Sequence, residues 1–320
     1  MNQLITVTVA EAHFEGEHSR SFRLVPESAS PLPAFEAGAH IDVYIPEGFI
    51  RQYSLANDPR ERDSYLICVK REEKSRGGSA YLYDYLKVGD RLRISPPRNH
   101  FQLQEAAEYL LIGGGIGITP LLAMAETLDH QKKPFVLHYY TSSEDFSVFM
   151  ARLRKGFSSG QIFIHYSRQG DSLRHNLPAE LLRYSPDTQL YHCGPQSFME
   201  KIATEAQKYG WKADHIHSEA FSAVTALGDA NEESFEVELA STQKVITVTP
   251  TQSIAEALDE AGIEISLACE EGVCGACLVG LISGQGDHRD FVQSDEEKAS
   301  NKEIALCCSR SRSKRLVIDL

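Results

Sequence analysis

Short apolar-rich runs, broken by Pro and Gly, fill the chain from its start to about residue 100. Ile5–Ala10, Ser21–Val25, His40–Ile45, Arg51–Leu55, Tyr65–Arg71 and Asp90–Ile94 are the predicted strands. Regular short strands with turn signals between them predict an all-β barrel or sandwich. One helical stretch interrupts them near Ser79–Leu86. From about residue 105 strands alternate with helices. Tyr109–Ile112, Phe135–Tyr140, Gln161–His165 and Gln189–Cys193 read as strands. Helices are expected from Pro120 to about Leu128, from near Phe146, over Ala179–Leu182 and over Ser197–Tyr209. That alternation implies a mostly parallel sheet. Small, polar and acidic residues at Ser222–Ser234 read as a linker. Beyond them, Phe235–Leu239 and Val245–Thr249 suggest a hairpin, Ser253–Ala261 a helix, and Leu316–Leu320 a closing strand.

Composition narrows the class. A chain of 320 residues, 42% of them hydrophobic, allows two or three packed domains. The formal net charge of −13 argues against a nucleic-acid partner, because phosphate binding needs a cationic surface. The first residues, MNQLITVTVAEA, lack the basic start and apolar stretch of a signal peptide. No apolar run approaches the roughly 18–20 residues that span a bilayer. The expected location is therefore cytoplasmic, with no membrane partner.

Five of the seven cysteines fall after residue 268, which points to a metal site there. Cys269, Cys274 and Cys277 are followed, 29 residues on, by Cys307. The spacing C-x4-C-x2-C with a distant fourth Cys is that of plant-type ferredoxins, whose 2Fe-2S cluster needs four thiolates. Gly272 and Gly275 let the loop curl so that backbone N–H groups face sulfur. A zinc ribbon is the competing reading, but it prefers two C-x2-C pairs, and only one is present. Cys308 adjoins Cys307, and spacing alone favours Cys307 as the fourth ligand. Cys68, in an apolar strand, is expected in a core. His215 and His217, alternating on a predicted strand, are expected to be structural.

Two further segments suggest anion binding. Gly113-Gly114-Gly115-Ile116-Gly117-Ile118-Thr119-Pro120 follows an apolar strand and precedes a helix. It departs from G-x-G-x-x-G, yet glycines permit close backbone approach and a helix N-terminus favours a pyrophosphate. Thr119 is expected to cap that helix and Pro120 to sit in its first turn. Plain tight packing is the alternative. Cys193-Gly194-Pro195 ends a later strand, and ligands of open parallel sheets bind beyond strand carboxyl ends. In the β region, Arg51-Gln52-Tyr53-Ser54 is followed by Arg76-Gly77-Gly78-Ser79 at a predicted helix start. Arginine suits bidentate phosphate binding, and the helix start adds N–H donors.

The order R-x-Y-S, G-G-S, G-G-G-x-G-x-T-P, C-G-P resembles the ferredoxin–NADP reductase superfamily. With a C-terminal ferredoxin domain added, the whole chain is similar to the phthalate dioxygenase reductase family. Asp287-His288-Arg289-Asp290 and Cys307-Cys308-Ser309-Arg310 add to that likeness. The resemblance implies an antiparallel β-barrel flavin domain at 1–103 and an α/β parallel-sheet NAD domain at 104–222. A linker at 223–233 and an α+β, β-grasp ferredoxin domain at 234–320 complete it. It further implies that Arg51, Gly77, Gly78 and Ser79 hold the flavin phosphate. Tyr53 would line the ring and ribityl region, Ser54 would bond the reactive ring nitrogen, and Val69 and Lys70 would flank the flavin. Gln52 is counted among the same cofactor-binding residues. Gly115 and Thr119 would cradle the dinucleotide, and Cys193 would face the nicotinamide. Glu219 and Phe221 would close the pocket, so that Ser54, Cys193 and Glu219 form the catalytic set.

The family likeness implies FMN rather than FAD. It implies electron flow from NADH through FMN and the 2Fe-2S cluster to a separate Rieske-type oxygenase. A monomer is expected. Glu144 and Asp145, after the strand ending at Tyr140, disfavour a 2′-phosphate and thus NADPH. Arg168 at the next strand end offers a possible adenosine contact, against a solvated loop arginine. An FAD reductase for another oxygenase class and a redox sensor without turnover are the competing functions.

Overall fold

The computed structural model describes residues 4–27, 30–46, 49–72, 78–221, 233–265, 267, 272 and 275–320. Gly77, Cys269, Cys274 and most of the expected linker lie outside them. The chain forms two compact units, Met1–Glu219 and Ala220–Leu320.

The first unit opens with β1 (Ile5–Phe14), β2 (Ser19–Pro26), β3 (His40–Tyr44), β4 (Ile50–Ser54) and β5 (Tyr65–Lys70). Helix α1 (Gly78–Tyr85) and β6 (Arg91–Ile94) follow. The strands pair antiparallel in the order β4-β3-β6-β1-β2-β5 and roll into a barrel. Alternation supplies its core, because every second side chain points inward. Val7 and Val9, Phe22 and Leu24, Ile41 and Val43, and Ile67 and Val69 are all buried together.

The same unit continues with β7 (Glu108–Gly114), α2 (Ile118–His130), β8 (Phe135–Thr141), α3 (Met150–Lys155) and β9 (Gly160–Tyr166). Then come β10 (Thr188–Cys193), α4 (Gln196–Lys208) and β11 (Ile216–Glu219). All pairs are parallel, in the order β11-β10-β7-β8-β9. The order reverses between β7 and β10, which puts a crevice at their carboxyl ends. Barrel and sheet are tied by polar contacts. Arg152 Nη1 donates to Ala56 O at 2.6 Å, and Glu15 Oε2 accepts from Phe149 N at 2.8 Å.

Those ties explain one departure from expectation. The helix expected near Phe146 starts at Met150, after a 3-10 turn at Glu144–Phe146 and a left-handed Phe149 with φ 56°. The Glu15 carboxylate holds the Phe149 N–H and stops an earlier start. Ala179–Leu182 is not a helix. Leu181, Leu182 and Arg183 donate three residues back, as in successive turns, and the Trp211 indole takes the Leu181 carbonyl at 2.9 Å. His215 lies in a 3-10 turn before β11, so only His217 is on the strand.

The second unit holds β12 (Phe235–Leu239), β13 (Val245–Val248), α5 (Ile254–Glu260), β14 (Leu278–Ser283) and β15 (Gly286–Asp287). Helix α6 (Asp295–Ser300), β16 (Glu303–Ala305), β17 (Arg310–Ser311) and β18 (Arg315–Ile318) complete it. The main sheet runs β13-β12-β18-β14-β16, mixed because β12 and β18 are parallel. Capping boxes fix both helix starts, Ser253 with Glu256 and Ser294 with Glu297. The elements from β14 to β17 are absent from the sequence-based prediction. Strands β15 to β17 are two or three residues long and α6 is six, and the strands' pairing partners are far along the chain.

Candidate functional site

Sulfur chemistry is the most concentrated feature of the second unit. Cys277 ends the described part of the cysteine loop just before β14, and Cys307 follows β16. Pairing of Leu278 with Ala305 brings the two together. Their Sγ atoms are 3.3 Å apart and buried. Two thiolates on one tetrahedral metal with bonds of about 2.3 Å stand about 3.8 Å apart, so this pair would share one iron after opening by about 0.5 Å. Gly272 and Gly275 have φ of 67° and 74°, as a loop wrapped around a cluster requires. The 287–292 segment supports that loop, since Phe291 N donates to Gly272 O at 2.9 Å. Cys308 Sγ is also buried, and it lies 3.9 Å from Ser309 Oγ.

In the first unit the Gly-rich turn locks onto the Cys-Gly-Pro turn. Cys193 is in register with Gly113 on one side and Glu219 on the other. A Cβ on Gly117 would lie 2.3 Å from Cys193 O, and one on Gly114 would lie 3.0 Å from the Phe198 ring. Those two glycines therefore serve close chain packing. Gly115 differs: its φ is 56°, and a Cβ there would meet nothing within 4 Å. Its open face fits a ligand that approaches the backbone. Thr119 is not the cap. Helix α2 starts two residues earlier than expected, at Ile118 with Gly117 at the N-cap, and Thr119 Oγ1 donates back to Ile116 O at 3.0 Å. The 3-10 turn at Gly115–Gly117 leads directly into the helix and leaves the threonine inside it. Pro120 sits in the first turn, where its missing N–H costs nothing.

The R-x-Y-S strand divides its residues by alternation. Arg51 and Tyr53 share one face of β4, and Gln52 and Ser54 the other. Arg51 packs against the start of α1, where a Cβ on Gly78 would lie 2.9 Å from Arg51 Cγ. A guanidinium beside a helix N-terminus is a fitting anion cradle. Ser79 Oγ accepts from Glu72 N at 3.4 Å. Gln52 Nε2 is engaged with Asp42 Oδ1 at 3.0 Å, so its side chain braces the barrel. Val69 is fully buried in the barrel core, which leaves only its backbone to flank a ligand. Lys70 is exposed and pairs with Glu72 at 2.8 Å. Ser54 is buried at the end of β4, opposite His40. Phe221 is half-buried at the start of the second unit.

Electrostatics sets the protonation of the strand ends. Burial, with Glu219 adding to it, pushes the Cys193 thiol well up, so it stays protonated at neutral pH. Glu219 Oε1 stands 3.7 Å from His40 Nδ1. Sequence reasoning missed His40 and His100, because a lone His at a strand start carries no signal without its distant partners.

His192 is buried beside Cys193, on the opposite face of β10, and burial pushes its imidazole down to about 4. It folds neutral, whereas the unfolded side chain takes a proton near 6.5. Its contribution is fully present above that value and is lost as pH falls toward 4. The gap is worth about 3 kcal/mol at the acid end. Urea unfolding followed by the single Trp211 should therefore show a falling midpoint from pH 7 to 4.5. His192→Leu should flatten that fall; an unchanged slope would remove His192 from the account.

Comparison with known proteins agrees with this arrangement. Residues 237–312 match the family described as a 2Fe-2S iron-sulfur cluster binding domain. A vanillate O-demethylase oxidoreductase of Pseudomonas sp. (strain HR199 / DSM 7063) is 40% identical over 318 residues, 99% of this chain and 100% of that one. The carnitine monooxygenase reductase subunit of Escherichia coli (strain K12) is 36% identical over 323 residues, 99% of each chain. The solved structure of phthalate dioxygenase reductase, described as modular for electron transfer from pyridine nucleotides to [2Fe-2S], superposes with a TM-score of 0.77. It is 35% identical, over 99% of this chain and 98% of that one. Barrel, parallel sheet and cysteine-bearing unit occur here in one chain with those relatives along its full length, and the chain belongs to the phthalate dioxygenase reductase family.

Proposed function

We propose that this chain is the reductase component of a multicomponent oxygenase. It takes electrons from NADH and passes them through FMN and a 2Fe-2S cluster to a separate terminal Rieske-type oxygenase. The observation that carries this reading is the buried Cys277–Cys307 sulfur pair, 3.3 Å apart, on one chain with a flavin-type barrel and a parallel sheet. When bound, the cofactors supply hydride acceptance and one-electron transfer, and the protein supplies binding, orientation and electrostatics.

Each residue has a defined task in this reading. Arg51 and the α1 N-terminus, with Gly77, Gly78 and Ser79, hold the flavin phosphate. Tyr53 lines its ring, and Ser54 orients its reactive edge. Gly115 admits the dinucleotide pyrophosphate to the backbone, and Cys193 abuts the nicotinamide as a neutral thiol. Glu219 and Phe221 close the site. Cys269, Cys274, Cys277 and Cys307 ligate the cluster. Glu144 and Asp145 favour NADH by repelling a 2′-phosphate, and Arg168 flanks the adenosine end; its N–H donates to Ser142 O at 3.0 Å and its guanidinium lies 4.7 Å over Phe146. The division into parts at 1–103, 104–222 and 234–320 follows these roles. Among the described residues no helix is long and apolar enough to cross a membrane. A cytoplasmic, monomeric reductase is the simplest setting.

The test is direct. Purified, cofactor-loaded protein should reduce cytochrome c or ferricyanide with NADH and bleach its flavin and cluster absorbance. An acceptor that stays oxidised with NADH present would favour a sensor over a reductase. Heat-released flavin identified by chromatography separates FMN from FAD.

A further inference from the structure

One face of β8 and β9 carries a row of titratable groups outside the site described above. His138 and Tyr140 alternate onto that face of β8, and Phe163 and His165 lie beside them in register on β9. Each pair is stacked, His138 on Phe163 with ring centroids 4.9 Å apart and Tyr140 on His165 at 4.2 Å. Stacking fixes the ring planes, and the two imidazoles meet edge to edge, with His138 Nδ1 2.9 Å from His165 Nε2. Their outer nitrogens meet carboxylates from the segment after β9. His138 Nε2 stands 3.2 Å from Glu180 Oε2, and His165 Nδ1 stands 2.8 Å from Asp171 Oδ2. Asn176 Nδ2 donates to Asp171 Oδ1 at 2.9 Å, and the Tyr140 hydroxyl donates to Asn176 O at 3.0 Å.

The row Glu180–His138–His165–Asp171 has three contacts, and each needs one proton. Two neutral imidazoles bring one N–H each, and ionised carboxylates bring none. Three hydrogen bonds therefore require one proton beyond that ordinary state. Without it, two nitrogen lone pairs would face each other at 2.9 Å, with His138 buried and unsatisfied there. The extra proton belongs to the coupled row rather than to one ring. Burial pushes the His138 imidazole down while Glu180 opposes that fall, so the charge is not fixed on His138. Asn176, and after it His165, hold the Asp171 carboxyl below its usual range, so Asp171 remains an acceptor. The titratable groups facing the two rings are thus Glu180 and Asp171 from the following segment and Tyr140 from β8, whose hydroxyl burial raises.

This row closes the loop at the carboxyl end of β9. Ser167–Gln169 is a 3-10 turn, and Asp171 N donates back to Tyr166 O at 3.2 Å. Arg168, which flanks the adenosine end of NADH in the reading above, sits inside that loop. We propose that His165, with its shared proton, is a positioning residue that clamps the Arg168 loop through Asp171 and makes NADH affinity depend on pH. The proposal rests on the reductase reading above. The extra proton is bound at low pH and lost as pH rises, and two carboxylates beside the imidazole pair favour keeping it. Its loss opens the clamp, so NADH binding weakens on the alkaline side.

The KM for NADH, measured on the holoprotein with ferricyanide from about pH 6 to about pH 9, should rise about tenfold, the worth of one charge-assisted hydrogen bond. His165→Gln and Asp171→Asn, at positions that are only half-buried, should show the raised KM already at the acid end and no further rise. A role in folding alone would lower the unfolding midpoint of these variants and leave the shape of the KM profile unchanged. Independently of turnover, proton NMR of wild type with isotope-labelled histidine should show, at the acid end, a far-downfield N–H shared by two ring nitrogens. That resonance should vanish at the alkaline end and in His165→Gln. A flat wild-type profile, a rise that persists in His165→Gln, or no such resonance in the wild type would overturn the clamp. A wild type that shows the resonance but whose flavin NADH does not reduce at any pH would remove the reductase reading, and with it the NADH role, while the shared proton stands.

Discussion

Cys307→Ser should abolish the 2Fe-2S absorbance and paramagnetic signal, while Cys308→Ser should keep both. The two side chains are adjacent and equally buried, so exposure does not distinguish them. Geometry does. Cys307 Sγ reaches Cys277 Sγ at 3.3 Å, whereas Cys308 Sγ turns toward Ser309 Oγ at 3.9 Å. Loss of a group that only supports a ligand costs 10–100-fold in metal affinity, so loss of a ligand should lower acceptor reduction by more than about 100-fold. Flavin content and NADH-driven flavin bleaching should survive in Cys307→Ser, because its unit, Ala220–Leu320, excludes the barrel and the parallel sheet. Cys308→Ser places a hydroxyl in the core and should cost about 1 kcal/mol of stability with the cluster intact. A cluster lost in Cys308→Ser and kept in Cys307→Ser would move the ligand by one residue.

Gly117→Ala should destabilise the first unit by about 3 kcal/mol or more, and Gly115→Ala by only about 1–2 kcal/mol. The two substitutions add the same methyl group two residues apart, but the causes differ. At Gly117 the backbone is ordinary helical, φ −63°, so alanine is tolerated locally. The added Cβ would lie 2.3 Å from Cys193 O, 2.5 Å from its carbonyl carbon and 2.6 Å from Gly194 N. All three are main-chain atoms, and no rotamer change relieves the overlap. Either the turn or the end of β10 must shift. At Gly115 the space is open, and the penalty comes from its φ of 56°. Gly115→Ala should accordingly lower the urea midpoint less than Gly117→Ala does but raise the KM for NADH, since the methyl group occupies the ligand face. Gly117→Ala should do the reverse, with loss of folded protein dominating. Equal midpoints would show that the turn does not depend on contact with Cys193.

Much of the site was legible in sequence because its chemistry is local. The cysteine spacing, the glycine turn before a helix and the R-x-Y-S strand each lie within a few residues, and the fold needs only to close them. The alternation of strands and helices likewise announced a β region followed by a parallel sheet. Where prediction failed, a distant group intervened. At 179–182 the chain makes only three-residue turns, and the Trp211 indole, remote in sequence, donates to the Leu181 carbonyl. Glu15 took the Phe149 amide and delayed α3. Strands β15 to β17 are only two or three residues long and carry no local signature, whereas β14, with the apolar run LVGLIS, was readable and was passed over.

The sequence by itself determined the kinds of residue on offer: four cysteines at ferredoxin spacing, a Gly-rich turn before a helix and an arginine in the R-x-Y-S strand. It did so because ligand identity and loop geometry are written in neighbouring residues. Tertiary structure alone decided which glycines pack closely against other parts of the chain and that Gln52 is occupied by Asp42, and it brings Cys307, the cysteine that spacing favoured, to Cys277. It alone brought His40 to Glu219, 179 residues apart in the chain. Those outcomes depend on strand register and on the contact between barrel and sheet, and register is a property of paired segments that neither segment carries alone.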